Sequence, residues 1–192
     1  MQTIKGVILA GGQSSRMGQD KALLSRDHRD MFSYTLEQLE NLNLNGIVLS
    51  RNAQQTERIS SMPLIIDEHS ELGPLGGIHA IVQQVKADAV LIVPVDMPLL
   101  TTSDLERLIS AGRTFHLPVY FEQNYLPLFL PITTEVRTYL EEVVSGKNGN
   151  RSVRGLCNHF SGMPLAPLNK EHLVNTNTPQ QWQLVKQQLT TN

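Results

Sequence analysis

Apolar residues in the first half of the chain gather into four short runs, each closed by a turn-forming or acidic residue. They are Ile4 to Ala10 (IKGVILA), Gly46 to Ser50 (GIVLS), Pro63 to Asp67 (PLIID) and Ala89 to Val95 (AVLIVPV). Continuous β-branched runs of this length, without polar alternation, are the pattern of strands buried on both faces. Between them the spacing turns helical. Asp30 is a candidate N-cap for a helix carrying Phe32, Leu36, Leu39 and Leu42 on one face; Gly77 to Val85 carries Ile78, Ile81, Val82 and Val85; and Thr101 or Thr102 is placed to cap a helix with Leu105, Leu108 and Ile109. Strands alternating with helices of this length imply right-handed crossovers and a mainly parallel sheet, an α/β fold of Rossmann-like, three-layer α/β/α type.

The second half is less regular. It predicts extended pieces near Leu117 to Phe121 and Leu126 to Ile132, a helix from about Thr134 to Val144, and a Gly, Asn and Ser-rich loop from Ser145 to Ser152. Leu173 to Thr176 reads as a short extended piece, after which Thr178 caps a helix opened by Pro179 that buries Trp182, Val185 and Leu189. No repeat or composition break marks a linker, and 192 residues suit a single domain.

Composition narrows the class. With 40% apolar and 18% charged residues and a net charge of -2, the chain has neither the profile of a disordered segment nor a general attraction to nucleic acid. The only cysteine, Cys157, excludes an internal disulfide and a thiolate zinc site, suits a reducing compartment, and reads as a small core residue rather than a nucleophile. The N-terminus has no signal-peptide pattern and no apolar run approaches a membrane span, so a cytoplasmic location is expected.

Two segments carry candidate chemistry. The first is Leu9-Ala10-Gly11-Gly12-Gln13-Ser14-Ser15-Arg16-Met17-Gly18-Gln19-Asp20-Lys21, the turn leaving the first strand, where parallel sheets bind ligands. Paired glycines let backbone N–H groups approach phosphate oxygens, Ser14 and Ser15 add hydroxyl donors, and Arg16 and Lys21 add charge. The pattern is neither GxxxxGK[ST] nor GxGxxG, which argues against a P-loop NTPase and a dinucleotide-binding dehydrogenase. The second segment is Asp96, directly after the most apolar strand and before Met97-Pro98. If that strand neighbours the first, its carboxylate sits beside the glycine turn, where a strand-end Asp serves as a loop cap or as an oxygen ligand for a hard cation such as Mg²⁺.

The LAGGxSxRMGxDK stretch resembles the signature of the nucleotidyltransferases related to sugar-1-phosphate nucleotidyltransferases, and looks most like their molybdenum cofactor guanylyltransferase branch. The resemblance covers nearly the whole chain and is strongest before Pro98. It implies a nucleotide-diphospho-sugar transferase-like fold, with Leu9, Ala10, Gly11 and Gly12 wrapping the triphosphate and guanine end of GTP. Arg16 and Lys21 would lie beside the reacting phosphates, and Asp96, in the family's PxDxP arrangement, would bind Mg²⁺. It also implies that Asp67 and the Gly73-Pro74-Leu75-Gly76-Gly77 turn line the guanosine pocket, although packing explains those glycines equally well. Ser50 and Asn52 stand where the family usually has Asn-x-Asn; Asn52 keeps the second amide and Ser50 replaces the first with a hydroxyl that has fewer donors.

On the acceptor side, Asn175-Thr176-Asn177-Thr178-Pro179 resembles the family's NxNTP motif, whose two Asn face the pterin. Independently, amides at i and i+2 of an extended segment point the same way. Gln180 and Gln181 replace residues that are often acidic and are expected to matter little on a helix surface. Leu126 replaces the usual Gln or His before Pro127, so an acceptor contact there is lost. The loop from Lys147 to Arg154 offers cations to an anionic acceptor, or is simply solvated.

The resulting expectation is attack by a phosphate oxygen of molybdopterin, with or without molybdenum, on the α-phosphorus of GTP, aided by Asp96-bound Mg²⁺, Lys21 and Arg16. The N-terminal part would hold nucleotide and the C-terminal part acceptor, with transient contact to cofactor or molybdoenzyme maturation proteins. The alternatives are CTP or another phosphorylated acceptor, and a non-catalytic nucleotide-binding adaptor. The attacking phosphate is already anionic, so no general base is needed and the six His residues have no required catalytic role.

Overall fold

The computed structural model describes residues 2–11, 20–26, 28–55 and 61–189. In chain order these form β1 (Ile4–Leu9), the two-residue strands β2 (Ser25–Arg26) and β3 (Arg29–Asp30), α1 (Met31–Glu40), β4 (Ile47–Asn52) and β5 (Leu64–Asp67). Then come α2 (Pro74–Gln84), β6 (Ala89–Pro94), α3 (Thr102–Phe115), β7 (Val119–Phe121), β8 (Asn124–Pro131), α4 (Thr134–Val144), α5 (Val153–His159), β9 (Met163–Leu165) and α6 (Pro179–Leu189). Apart from the β2–β3 pair, the strands make one seven-stranded sheet in the order β5-β4-β1-β6-β8-β7-β9. β5, β4, β1 and β6 run parallel, β8 is antiparallel to both β6 and β7, and β9 pairs parallel with β7.

The continuous apolar runs are explained by helices on both faces. Alternate residues of β1 and β6 point to opposite sides. Ile4, Ile8, Leu91 and Val93 pack with Met31, Phe32, Leu39, Leu105, Leu108 and Trp182 from α1, α3 and α6. Val7, Leu9, Val90 and Ile92 pack with Ile78, Ile81, Val82, Val136, Leu140 and Leu156 from α2, α4 and α5. The result is the three-layer α/β/α sandwich that the strand and helix alternation predicts.

The caps follow the sequence reading. Asp30 accepts from Ser33 N in α1, and Thr101 and Asp104 form a reciprocal capping box on α3. α2 begins at Pro74, three residues before the apolar stripe suggests, because Gly73, at φ 58°, turns the chain into it and Pro74 suits a first helical position. α5 and β9 have no counterpart in the apolar pattern. Leu173 to Thr176 also differs from expectation: Lys170–Leu173 is a 3-10 turn, and the residues after it join no sheet but hang from Asp96, whose carbonyl accepts from Thr176 N at 2.9 Å. No helix among the described residues is long and apolar enough to cross a membrane.

Candidate active site

β1 and β6 are adjacent and in register, with Leu9 opposite Pro94. Their carboxyl ends therefore release Ala10-Gly11 and Val95-Asp96 side by side, which meets the condition set for Asp96. A cavity of about 490 Å³ opens there, within the range of small-ligand sites. Its floor is Leu9, Ala10, Gly11, Pro94, Val95 and Asp96; one wall is Asp67, Ser70, Glu71, Gly73 and Pro74; Lys21, Leu126 and Asn175 complete it.

Lys21 links the two ends of the chain within this cavity. Its Nζ lies 2.9 Å from Asp96 Oδ2 and donates to Asn177 Oδ1 at 2.6 Å. The lysine and aspartate side chains are each 18% exposed, so the pair is reachable by a ligand yet less screened than a surface pair. Lys21 is aimed by Asp20, whose Oδ1 accepts from Ala22 N at 3.0 Å and so caps the 3-10 turn Lys21–Leu23. Asn177 is aimed by Gln181, whose Oε1 accepts from the backbone N–H groups of Asn177 (2.8 Å) and Thr178 (3.1 Å), while Thr178 Oγ1 accepts from Gln181 N. Gln181 is thus not an idle surface residue: it completes a capping box on α6 and fixes the motif before it.

Asn175 lines the cavity, and its buried Oδ1 has no hydrogen-bond partner among the described residues. A buried oxygen of this kind costs free energy unless a donor or cation meets it. Asp96 and Asn175 together therefore offer hard oxygen donors on one cavity. The described residues hold no cluster of three His, Cys, Asp or Glu. That donor set fits a cation such as Mg²⁺, which keeps few protein ligands and completes its shell with phosphate and water.

Asp67 ends β5 and is nearly buried. Desolvation raises its pKa from the ordinary carboxylate value, opposed by the hydrogen bond its Oδ1 accepts from His69 N at 2.8 Å. Packing explains the glycines beside it. A Cβ on Gly76 would lie 2.3 Å from His69 O and 2.5 Å from Asp67 Oδ1, and one on Gly77 would lie 2.8 Å from Leu9 Cδ1. Gly73 and Pro74, by contrast, face the cavity.

Ser50 and Asn52 sit differently from the expectation of ligand contact. Ser50 is fully buried, and its Oγ has no partner among the described residues; neither residue is among those lining the cavity. Asn52 Oδ1 accepts from Gln54 N and Gln55 N, shaping the turn after β4. Gly12 and Arg16 lie outside the described residues, as do Ser14 and Ser15. Cys157 is wholly buried, and burial pushes its thiol up to about 12, which keeps it protonated and unreactive.

Sequence reasoning missed the ion pair between Asp20 and the buried Arg51, whose signal was an arginine inside the apolar strand IVLSRN. It also missed Ser70 and Glu71 as lining residues and the tether from Thr176 to Asp96.

Residues 6–160 match the family described as MobA-like NTP transferase domain. The molybdenum cofactor guanylyltransferase of Xanthomonas euvesicatoria pv. vesicatoria (strain 85-10) is 36% identical over 180 residues, covering 92% of this chain and 91% of that one. The molybdenum cofactor guanylyltransferase of Shewanella baltica (strain OS155) is 30% identical, covering 97% of each. The crystal structure of molybdopterin-guanine dinucleotide biosynthesis protein A from Archaeoglobus fulgidus superposes with a TM-score of 0.78 at 19% identity, over 98% of this chain and all 100% of that one. With the family match running over 6–160, which takes in β4 to β8 and Asp96, and with those relatives covering more than nine-tenths of the chain, the chain belongs to the family of MobA-like NTP transferase domains and is a nucleotidyltransferase.

Proposed function

We propose that the protein transfers GMP from GTP to the terminal phosphate of molybdopterin, with or without bound molybdenum, releasing pyrophosphate and forming the molybdopterin guanine dinucleotide cofactor. The observation that carries this reading is the convergence of Lys21, Asp96 and Asn175 on one cavity at the carboxyl ends of β1 and β6. Relatives named molybdenum cofactor guanylyltransferase over more than nine-tenths of their length support the choice of substrates.

In this reading the cavity and the glycine-containing segment before Lys21 take the triphosphate, and a single domain binds both substrates, nucleotide on the N-terminal part and acceptor on the C-terminal part. An acceptor phosphate oxygen forms a bond to the α-phosphorus as the bond to the β-phosphate oxygen breaks, and the electron pair leaves with pyrophosphate. The nucleophile is already anionic, so no side chain has to remove a proton. Triphosphate oxygens compete with Asp96 for the Lys21 ammonium, which then offsets charge developing on the leaving group. Asp96, with Asn175 beside it, would hold Mg²⁺, which when bound neutralises phosphate charge and stabilises the transition state. Asn177, positioned by Gln181, orients the acceptor; Arg16 and Gly12 complete the triphosphate grip. Asp67, Ser70 and Glu71 form the wall nearest the base. We place the reaction in the cytoplasm, with hand-over of product to maturation proteins.

The test is to supply Mg²⁺, molybdopterin and each nucleoside triphosphate in turn and to quantify pyrophosphate. Release with GTP alone supports the reading, release with CTP alone moves the substrate, and nucleotide binding without release supports a non-catalytic adaptor.

A further inference from the structure

Arg51 is an unexpected residue for the interior of a parallel sheet. It lies on β4, is 1% exposed, and is the largest of the fully buried side chains among the described residues. Burying a guanidinium costs several kcal/mol unless it is well paired, and an apolar residue at such a position commonly gives equal or better stability. Core packing therefore does not account for it.

Its contacts do suggest a task. The Arg51 guanidinium donates from Nη2 to Asp20 Oδ2, while the other oxygen of the same carboxylate caps the turn that starts at Lys21. Ala22, one residue further on, is completely buried, so the turn is pinned from the core side as well. At the other end of the motif, the Cβ position of Gly11 lies 3.2 Å from Arg51 C and 3.4 Å from Arg51 Cα. One residue thus packs its backbone against Gly11 and ties its side chain to Asp20, the residues that flank positions 12–19. From that anchored turn, Lys21 reaches Asp96 and Asn177.

We propose that the Arg51–Asp20 ion pair is a positioning device that sets where the Lys21 ammonium stands in the cavity; its effect on turnover rests on the guanylyl-transfer reading above. Asp20 and Arg51 touch no substrate in this scheme. Their effect passes through Lys21, and a displacement of about 1 Å of such a group costs on the order of 10²-fold in rate.

The experiment compares wild type with Arg51→Met, Arg51→Lys, Asp20→Asn and the Arg51→Met/Asp20→Asn double variant. It reads three quantities: acylation of the Lys21 amine by a limiting amine-reactive ester in nucleotide-free protein, followed by mass spectrometry; kcat and KM for GTP; and thermal melting. Acylation of Lys21 is expected to quicken several-fold in each single variant, and kcat to fall roughly 10- to 100-fold, with a smaller change in KM. The double variant should be no worse than the worse single, because both changes break one link. Arg51→Lys should recover only part of the loss, since an ammonium lacks the planar fork. Should Arg51→Met fail to fold, Asp20→Asn and Arg51→Lys carry the same comparison. An unchanged Lys21 acylation rate overturns the proposal whatever happens to melting, and so does faster acylation with undiminished kcat. If wild type transfers no GMP at all, the functional reading fails, while the acylation comparison still decides the positioning claim.

Discussion

Adding one methyl group at Gly76 puts the local packing account at direct risk. Gly76 lies in the first turn of α2, where alanine gains about 1 kcal/mol over glycine in intrinsic helix preference. Propensity alone therefore predicts stabilisation. The surroundings predict the reverse, because the new Cβ would stand 2.3 Å from His69 O, 2.5 Å from Asp67 Oδ1 and 2.8 Å from His69 C. Ordinary carbon contacts need about 3.5 Å or more, so the chain has to yield by about 1 Å. The first obstacle is backbone rather than the free end of a side chain. His69 O also accepts from Leu72 N at 2.9 Å, and His69 N donates to Asp67 Oδ1, so the displacement spreads through the turn Ser70–Leu72 and into Asp67. Overpacking of this kind costs about 1–3 kcal/mol, and a backbone obstacle places it at the upper end. Less the helix gain, the net loss is about 2 kcal/mol, or roughly 4–8 °C in Tm for a chain of this size. Asp67, Ser70 and Glu71 line the cavity, so nucleotide affinity should fall with stability. Gly149→Ala is the control: nothing lies within 4 Å of its Cβ position, and its Tm should stay level or rise slightly. Differential scanning fluorimetry and GTP titration calorimetry read both quantities. A Gly76→Ala protein that melts within about 1 °C of wild type and binds GTP equally well would refute the packing argument.

Asp96→Asn should lower pyrophosphate release by about 10²-fold or more while circular dichroism melting stays near wild type, since the side chain is partly exposed and replaced by a near isostere. Lys21→Met should cut kcat by about 10²- to 10³-fold with a smaller change in the affinity for GTP, as steady-state kinetics would reveal. Asp67 binds its proton more tightly folded than unfolded, so native Asp67 loses stability as pH rises from its ordinary value of 3.8 through the raised folded value. Asp67→Asn, measured by urea unfolding across that range, should therefore gain relative to wild type as pH rises; a gap independent of pH would contradict the desolvation argument. With its thiol near 12, Cys157 carries about one thiolate in ten thousand at about pH 8, and it is buried as well. Ellman's reagent should find no reactive thiol in native protein and one after denaturation.

The parts of this molecule that were legible in its sequence are those whose signals are local. β1 and β6 are buried on both faces and so must be continuously apolar; α1, α3 and α6 announce themselves through Asp30, Thr101 and Thr178 beside apolar stripes. β9 was illegible because it is three residues long, contains Pro164 and exists only by pairing with β7, more than forty positions away. α5 is similarly short, with Ser152 as its only clear marker in a polar stretch. At the site, Lys21, Asp96 and Asn175 were legible as residue types suited to phosphate and cation, and strand adjacency then brought them together. Ser50 and Asn52 do not line the cavity, because Ser50 is wholly buried and the turn after β4 takes the Asn52 amide oxygen, and neither fact is written in the motif. The Arg51–Asp20 link spans thirty-one positions and involves opposite charges that composition alone leaves on the surface.

The central claim is transfer of the α-phosphoryl group and its nucleoside to a phosphorylated pterin, and it is tested most directly by following label. GTP labelled separately at the α and γ positions is incubated with the protein, Mg²⁺ and molybdopterin, and the products are separated. The account predicts that α label moves onto the pterin while γ label leaves as pyrophosphate, and that both slow by about 10²-fold or more with Asp96→Asn. Release of γ label as orthophosphate, with the α label left in GDP and none on the pterin, would identify a triphosphatase and contradict it.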